Sequence, residues 1–416
     1  MSKDFTTVTD EGITAKHFSG GYKKAFKYIA EHSTNYGKLP SITTMRKKFP
    51  NIEFIKKGKK YGTDEPIKFW CDELINKKRH NMIVEALEDV EDNINELETL
   101  KAYERLKKVI LSIENDVIKG DRVKINEDTK KRFEDYKKRQ KTGGMTGLPI
   151  GIDLVDEIMG GLNKGELTTF MAYTGTGKSW LEAIIAVNLA KLGYRVLFMT
   201  TEMSTVNLFR RIDAIWNGFD YSLFKKGQLN RKDEKKYQEY LEEMETKSDD
   251  EVMLVVEQAT GGVMQITAKV EQYKPDILLV DGAYLLEDDA GGEDNWMGVI
   301  RIWRAFHKLC LAKDIPVVLT TQSKDETGAK IGSLSFAKAL SNECDVLAVL
   351  EQDEQQRNDR EADIRFLKLR EGDTLSKVHI NWNFNTMEYN SIYKEKAVET
   401  NDETASKNAK GVISID

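Results

Sequence analysis

Residues 172–179 read AYTGTGKS, directly after the apolar run LTTFM and at the head of a helical stretch that continues to Leu192. A strand that breaks into a glycine-bearing loop and restarts as a helix in this way is the Walker A arrangement, a phosphate-binding loop. Gly175 and Gly177 let backbone N–H groups curl around a phosphate, the helix N-terminus adds its dipole, and Lys178 reaches the outer phosphate oxygens. Thr174, Gly175, Thr176, Gly177, Lys178 and Ser179 are therefore the expected nucleotide-binding residues, with the Ser179 hydroxyl as a magnesium ligand. Ala172 stands where the usual pattern has its first glycine. The motif requires an α/β fold whose strands deliver their functional residues at one edge.

The surrounding sequence meets that requirement. Short apolar strands are expected at 167–172, 195–200, 277–280, 317–321, 346–350, 364–369 and 378–382, separated by helical stretches. This alternation predicts a mostly parallel sheet covered by helices on both faces. The second strand delivers Glu202, read either as the general base for an attacking water or as a carboxylate that starts the helix after Ser204. ILLVD puts Asp281 at a strand end after four apolar residues, the Walker B arrangement that holds magnesium through water. VVLTTQ puts Gln322 at another strand end, where its amide can donate to a γ-phosphate. In IRFLKLREG, Lys368 and Arg370 are two apart and so share one side of a strand. They are either a solvated strand edge or cations that reach the γ-phosphate bound by a neighbouring subunit.

The first part of the chain has another character. Residues 1–15 read as a flexible start, 16–120 as an all-α region and 121–147 as a linker containing a helix. Residues 148–393 form the α/β region, and 394–416 read as a flexible tail. In the all-α region Tyr22, Phe26 and Ile29 share one helical face. Two successive stripes follow, Ile83, Leu87, Val90, Ile94 and Leu97, then Tyr103, Leu106, Ile110, Ile113 and Val117, which predict an antiparallel helical hairpin. The linker helix is expected over 126–140, with Asn126 as N-cap and Phe133 and Tyr136 as its apolar points. It is too polar to hold itself by core burial, so it is a solvated spacer or a peg for another surface.

Composition excludes some classes. No stretch approaches the roughly 18 apolar residues of a membrane span, and the N-terminus lacks the basic and apolar regions of a secretory signal. Cys71, Cys310 and Cys344 have no metal-like spacing and are expected as small core residues in a reducing cytoplasm. A net charge of −6 argues against nonspecific coating of nucleic acid, yet it is compatible with a positive lumen inside an acidic ring.

Taken together, GLPIGIDLVDEIMGGLNKGELTTFMAYTGTGKS, RVLFMTTEMS, DILLVDGAYLL, PVVLTTQS and FLKLREGDT resemble, in order, the linker and motifs of the DnaB-type replicative helicases. The resemblance covers about residues 142–389 and extends to the N-terminal half only in plan, as a helical globule, a hairpin and a linker helix. It implies a RecA-like ATPase core using ATP and magnesium, with Lys178, Glu202 and Gln322 from one subunit and a Lys368–Arg370 finger from the next. It further implies a hexameric ring that moves 5′ to 3′ on single-stranded DNA, works with a primase and a loader, and packs its linker helix onto the adjacent subunit. With its divergent N-terminal half the chain looks more like a phage-encoded member of the family than a bacterial housekeeping one. Family members bind DNA through loops after the Walker B and glutamine strands. Here the first loop carries Asp288, Asp289, Glu293 and Asp294, which would repel phosphate, whereas the second offers Lys324, Lys330 and Lys338. A RecA-like recombinase and an ATP-regulated scaffold without unwinding activity are the alternative readings.

Overall fold

Strand β1 (Leu167–Ala172) is buried at every residue, and its side chains divide between two cores. Leu167 and Met171 join one apolar cluster, while Phe170 and Ala172 join another. The same alternation recurs in β2 (Val196–Thr200), where Val196 and Phe198 face one way and Leu197 and Met199 the other. It recurs again in β4 (Ile277–Asp281), with Ile277 and Leu279 opposed to Leu278 and Val280. Strands that are apolar on both faces need a cover on both faces. The computed structural model describes residues 8–9, 11–52, 66–115, 125, 128–289, 291, 296–322, 331–370 and 376–396.

Among these residues the sheet has nine strands in the order β3-β2-β4-β5-β1-β6-β7-β8-β9. The remaining strands are β3 (Leu254–Gln258), β5 (Val317–Gln322), β6 (Val346–Glu351), β7 (Glu361–Leu369), β8 (Ser376–Asn381) and β9 (Ser391–Lys396). Strands β1 to β6 pair in parallel, and β7, β8 and β9 add an antiparallel margin beyond β6. The mostly parallel α/β sheet expected from the sequence is thus the observed one. Two strands went unforeseen. β3 is only half-buried at the far margin and carries Glu257 and Gln258. β9 alternates polar residues and holds its place partly through ions, Lys394 reaching Glu157 and Glu395 reaching Lys377. It takes in residues 394–396, which the sequence pattern assigns to the tail.

The chain divides into two units, Met1–Thr129 and Lys130–Asp416. The first contains α1 (Gly20–Tyr36), α2 (Ile42–Lys48), α3 (Ile67–Asn95) and α4 (Thr99–Asn115). Gly37, left-handed at φ 66°, stops α1 at the expected turn. The α3–α4 hairpin forms, and of the residues named in its two predicted stripes Val90 is buried. Its buried residues are Cys71, Ala86 and Val90 on α3 and Ala102 and Val109 on α4, whereas Ile83, Leu87, Ile94, Tyr103, Leu106 and Ile110 are exposed. Two of the buried positions are alanines, and most of the larger apolar side chains of the stripes lie outside. On α1 the buried positions are Ala25 and Ser33, and Tyr22 is exposed.

Helix α5 (Thr129–Lys141) buries nothing, and Phe133 and Tyr136 stack on each other in solvent. It starts at Thr129, and the predicted cap Asn126 lies outside the described residues. So do 53–65, Val117, and the predicted flexible ends over 1–7 and 397–416. In the second unit, α6 (Asp153–Met159), α7 (Lys178–Lys191) and α8 (Thr205–Asn217) serve the Phe170 side of the sheet. α9 (Arg231–Glu245) is a largely exposed charged helix docked on α8, where Tyr237 donates to Asp213 at 2.8 Å. The Leu167 side is covered by α10 (Val263–Tyr273), α11 (Trp296–Lys313) and α12 (Ile331–Glu343). Cys71, Cys310 and Cys344 are buried thiols. Among the described residues, no helix is long and apolar enough to cross a membrane.

Candidate active site

Strand order determines the site before any side chain is considered. β2, β4, β5 and β1 are consecutive neighbours, all parallel, so their C-terminal ends share one edge of the sheet. Glu202, Asp281, Gln322 and the phosphate loop follow or terminate these four strands. In the loop, Gly175 and Gly177 take φ of 86° and 109°, a region that costs other residues strain. Gly177 caps α7, so that Lys178 and Ser179 occupy its first turn. Thr174 and Gly175 are exposed, Thr176 is buried, and Ser179 is half-buried. The loop is braced from behind by Trp382, just past β8, whose indole N–H donates to the Thr176 carbonyl at 2.8 Å. A Cβ on Gly177 would meet the Trp382 ring at 2.6 Å, so glycine is required there twice over.

Lys178 is only 7% exposed and its ammonium lies 2.6 Å from Glu202 Oε1 and 3.8 Å from Asp281 Oδ1. The same Glu202 oxygen accepts from Gln322 Nε2 at 3.2 Å and from the Tyr284 hydroxyl. Burial works to raise the Glu202 pKa, but hydrogen bonds from Lys178, Tyr284 and Gln322 and the Lys178 charge outweigh it, leaving the carboxyl below its ordinary range. The helix that follows is capped by Ser204, whose side chain accepts from Asn207 N–H, so Glu202 does not serve as that cap. Thr174 Oγ1 donates to Gln322 Oε1 at 3.4 Å and links the loop to β5.

Asp281 is fully buried and its Oδ2 has no hydrogen-bond partner among the described residues. Thr320 stands between two carboxyl groups, 3.2 Å from Asp281 Oδ1 and 3.2 Å from Glu182 Oε2, and accepts from Gly282 N–H. Burial, then the Asp281 charge, pushes the Glu182 carboxyl well above its usual range. Among the described residues, no three His, Cys, Asp or Glu side chains cluster as a metal cage. Asp281, 3.8 Å from the ammonium of Lys178, the residue before Ser179, has an unpartnered oxygen that fits magnesium instead, which keeps waters and phosphate oxygens in its shell.

Tyr284, Glu182, Thr320 and Trp382 were missed in the sequence. Glu182 had a usable signal, a lone acid one helical turn after Lys178 in an otherwise apolar stretch. Tyr284 had none, since nothing in DGAYLL distinguishes its hydroxyl from a core ring.

Lys368 and Arg370 are not in this cluster. β7 runs antiparallel to β6, pairing Leu369 with Val346, so both residues stand at the edge where β1 and β6 begin. Arg370 lies one residue past β7. The two nonetheless reach one corner. Lys368 donates to the carbonyls of Ser341 and Cys344, and Arg370 pairs with buried Asp345, its own side chain 64% exposed. Six residues of β1 separate that edge from its C-terminal edge, a rise of roughly 15–20 Å.

Lys338 is exposed on α12, and Lys324 and Lys330 lie outside the described residues. In the acidic loop, Asp288 pairs with Arg301 at 2.6 Å and Asp289 accepts from Met264 N–H at 2.8 Å. Both side chains are thus engaged within the fold. Glu293 and Asp294 lie outside the described residues.

Comparison with known proteins agrees with this geometry. The chain is 24% identical over 236 residues to the replicative DNA helicase DnaB of Treponema pallidum, covering 55% of this chain and 52% of the relative. It is 25% identical over 193 residues to a probable plasmid replicative DNA helicase of Chlamydia psittaci, covering 45% and 41%. The chain therefore spans about half the length of the relatives it matches. A solved structure of a DnaB-like replicative helicase, described with its interactions with primase, superposes with a TM-score of 0.56 at 17% identity, over 91% of this chain and 94% of that one. The ATPase domain of G40P gives 0.56 at 17% identity, over 65% and 100%. At that identity the two structures speak for the fold. The family described as DnaB-like helicase C terminal domain matches residues 147–391, a span that runs from before the phosphate loop to beyond the Lys-x-Arg pair. With more than half of its residues inside that match, the chain belongs to the DnaB-like helicase C-terminal domain family.

Proposed function

We propose that this protein is the motor of a replicative DNA helicase, hydrolysing ATP at the interfaces of a homo-oligomeric ring, a hexamer by family likeness, to move along single-stranded DNA. One observation carries the reading. Lys178, Glu202, Asp281 and Gln322 converge at one sheet edge while Lys368 and Arg370 stand at the other, so a finger can reach a phosphate only on a second copy. Thr174, Gly175, Thr176 and Gly177 would wrap the phosphates, and Lys178 would compensate their charge. Ser179 and, through water, Asp281 would hold magnesium, which when bound neutralises phosphate charge. Glu202 would accept a proton from water as its oxygen bonds to the γ-phosphorus. The bond from that phosphorus to the β–γ bridging oxygen then breaks, releasing ADP and phosphate. Gln322 would donate to the γ-phosphate, and Lys368 and Arg370 of the neighbouring copy would stabilise its charge.

Lys324, Lys330 and Lys338 are the proposed DNA contacts. A primase is a further proposed partner, given the solved relative described with one, and a loader follows from family likeness. The setting is the bacterial cytoplasm, where the template lies. The test is whether the full chain forms rings and unwinds a forked duplex with ATP. Ring formation with DNA-stimulated turnover and unwinding is expected. Filaments with strand exchange would favour a recombinase instead, and rings with neither unwinding nor stimulation by DNA would favour a scaffold.

A further inference from the structure

We infer that Tyr284 is a positioning residue that holds the carboxylate of Glu202 in place as general base, an inference that rests on the ATPase reading above. Tyr284 sits in the single turn Ala283–Leu285, which leaves the end of β4 immediately after Asp281 and Gly282. Its ring packs on the Leu167-side core, and its hydroxyl donates to Glu202 Oε1. The Lys178 ammonium lies 5.2 Å from the centre of the same ring. Gly282 makes the approach possible. It takes φ +77°, and a Cβ there would meet Thr201 Oγ1 at 2.4 Å and Glu202 Cγ at 2.8 Å. Thr201 closes the junction from the other side, its hydroxyl 3.0 Å from the Asp281 carbonyl and 2.8 Å from that of Gly282. The backbone between Asp281 and Tyr284 is thus shaped around Glu202.

Three donors converge on Oε1, and they differ in what else they serve. In the proposed reaction Lys178 and Gln322 both have a second acceptor, the phosphate. Tyr284 has no such second duty, and its ring is anchored by packing rather than by charge. A phenol can hold a carboxylate ionised and oriented without adding a cation beside it. Tyr284 is therefore the donor suited to hold Glu202 after Lys178 has turned to the phosphate.

The experiment compares wild type, Tyr284→Phe and Tyr284→Leu as full-length protein. It measures kcat and KM for ATP, equilibrium binding of a nonhydrolysable ATP analogue, and Tm alone and combined with Glu202→Gln. Tyr284→Phe keeps the ring and removes only the hydroxyl. It is expected to lower kcat about 10- to 100-fold, as for a lost hydrogen bond to a charged group, with KM and analogue affinity nearly unchanged. Its effect on Tm should shrink when Glu202 is already glutamine, because a shared contact makes the two substitutions non-additive. If Tyr284→Phe turns over like wild type and only Tyr284→Leu is impaired, the ring acts by packing and the inference is overturned. Weakened analogue binding with kcat intact overturns it equally. Absence of turnover in wild type itself would sink the ATPase reading first, and is recognised before any variant is compared.

Discussion

At the scale of single residues, the site works through saturation of one oxygen. Glu202 Oε1 accepts from an ammonium, a phenol and an amide, which keeps the carboxyl ionised although it is partly buried. A glutamine there keeps the size and removes the basic oxygen. Glu202→Gln is therefore expected to bind ATP and to lose hydrolysis by at least about 10²-fold, a loss of the order expected for a general base. Steady-state turnover beside nucleotide retention on the protein checks this, and normal turnover would move the base elsewhere. Lys178→Ala should be folded and inactive, since Lys178 extends from the head of a helix toward the Glu202 and Asp281 carboxylates and fills no apolar core. Circular dichroism with a hydrolysis assay separates those two statements, and near wild-type turnover would remove the phosphate-loop assignment.

At the scale of elements, the phosphate loop is shaped by a strand far away in sequence. Trp382, at the exit of β8, donates to Thr176 and lies against Gly177, while Phe384 beyond it stacks on Trp180 of α7 with ring centres 4.0 Å apart. The antiparallel margin thus buttresses a loop that begins at β1. Trp382→Phe retains a ring and removes the donor. It should weaken nucleotide binding roughly fivefold, about 1 kcal/mol, the usual net worth of one hydrogen bond. Titration with a fluorescent nucleotide measures this, and unchanged affinity would mean that the loop holds its shape without the brace. At the opposite edge Asp345 joins three elements, accepting from Leu167 N–H at 2.9 Å, pairing with Arg370, and lying 3.4 Å from His307. Arg370 is thereby tied, through Asp345, to the first residue of the strand that leads to the phosphate loop of the same chain.

At the scale of the whole molecule, Lys178, Glu202, Asp281 and Gln322 gather at one edge of the sheet and Lys368 and Arg370 stand at the other. If Arg370 completes the site of a neighbour, Arg370→Ala should leave ATP binding nearly intact and cut hydrolysis by the assembly up to about 10³- to 10⁵-fold. Rings mixed from Arg370→Ala and Lys178→Ala subunits should regain partial hydrolysis, because some interfaces then pair an intact loop with an intact finger. No recovery in rings proven to be mixed would reduce the Lys-x-Arg pair to a strand edge. Much of this was legible in the sequence alone. The alternation of apolar strands and helices, the phosphate loop, and Glu202, Asp281 and Gln322 at strand ends follow from local chemistry, because each motif depends on residues adjacent in the chain. Most of the hairpin stripe positions misled because the stripes name what is apolar, while the buried positions include Ala86 and Ala102, whose small size matters only once two helices meet. Tyr284 and Trp382 could not be read for a related reason. Each acts on a partner about 80 residues or more away, across strands whose order no local pattern states. The sequence by itself thus determined which residues stand at each strand end. Tertiary structure alone decided which ends share an edge, because strand order arises from packing between residues remote in the chain.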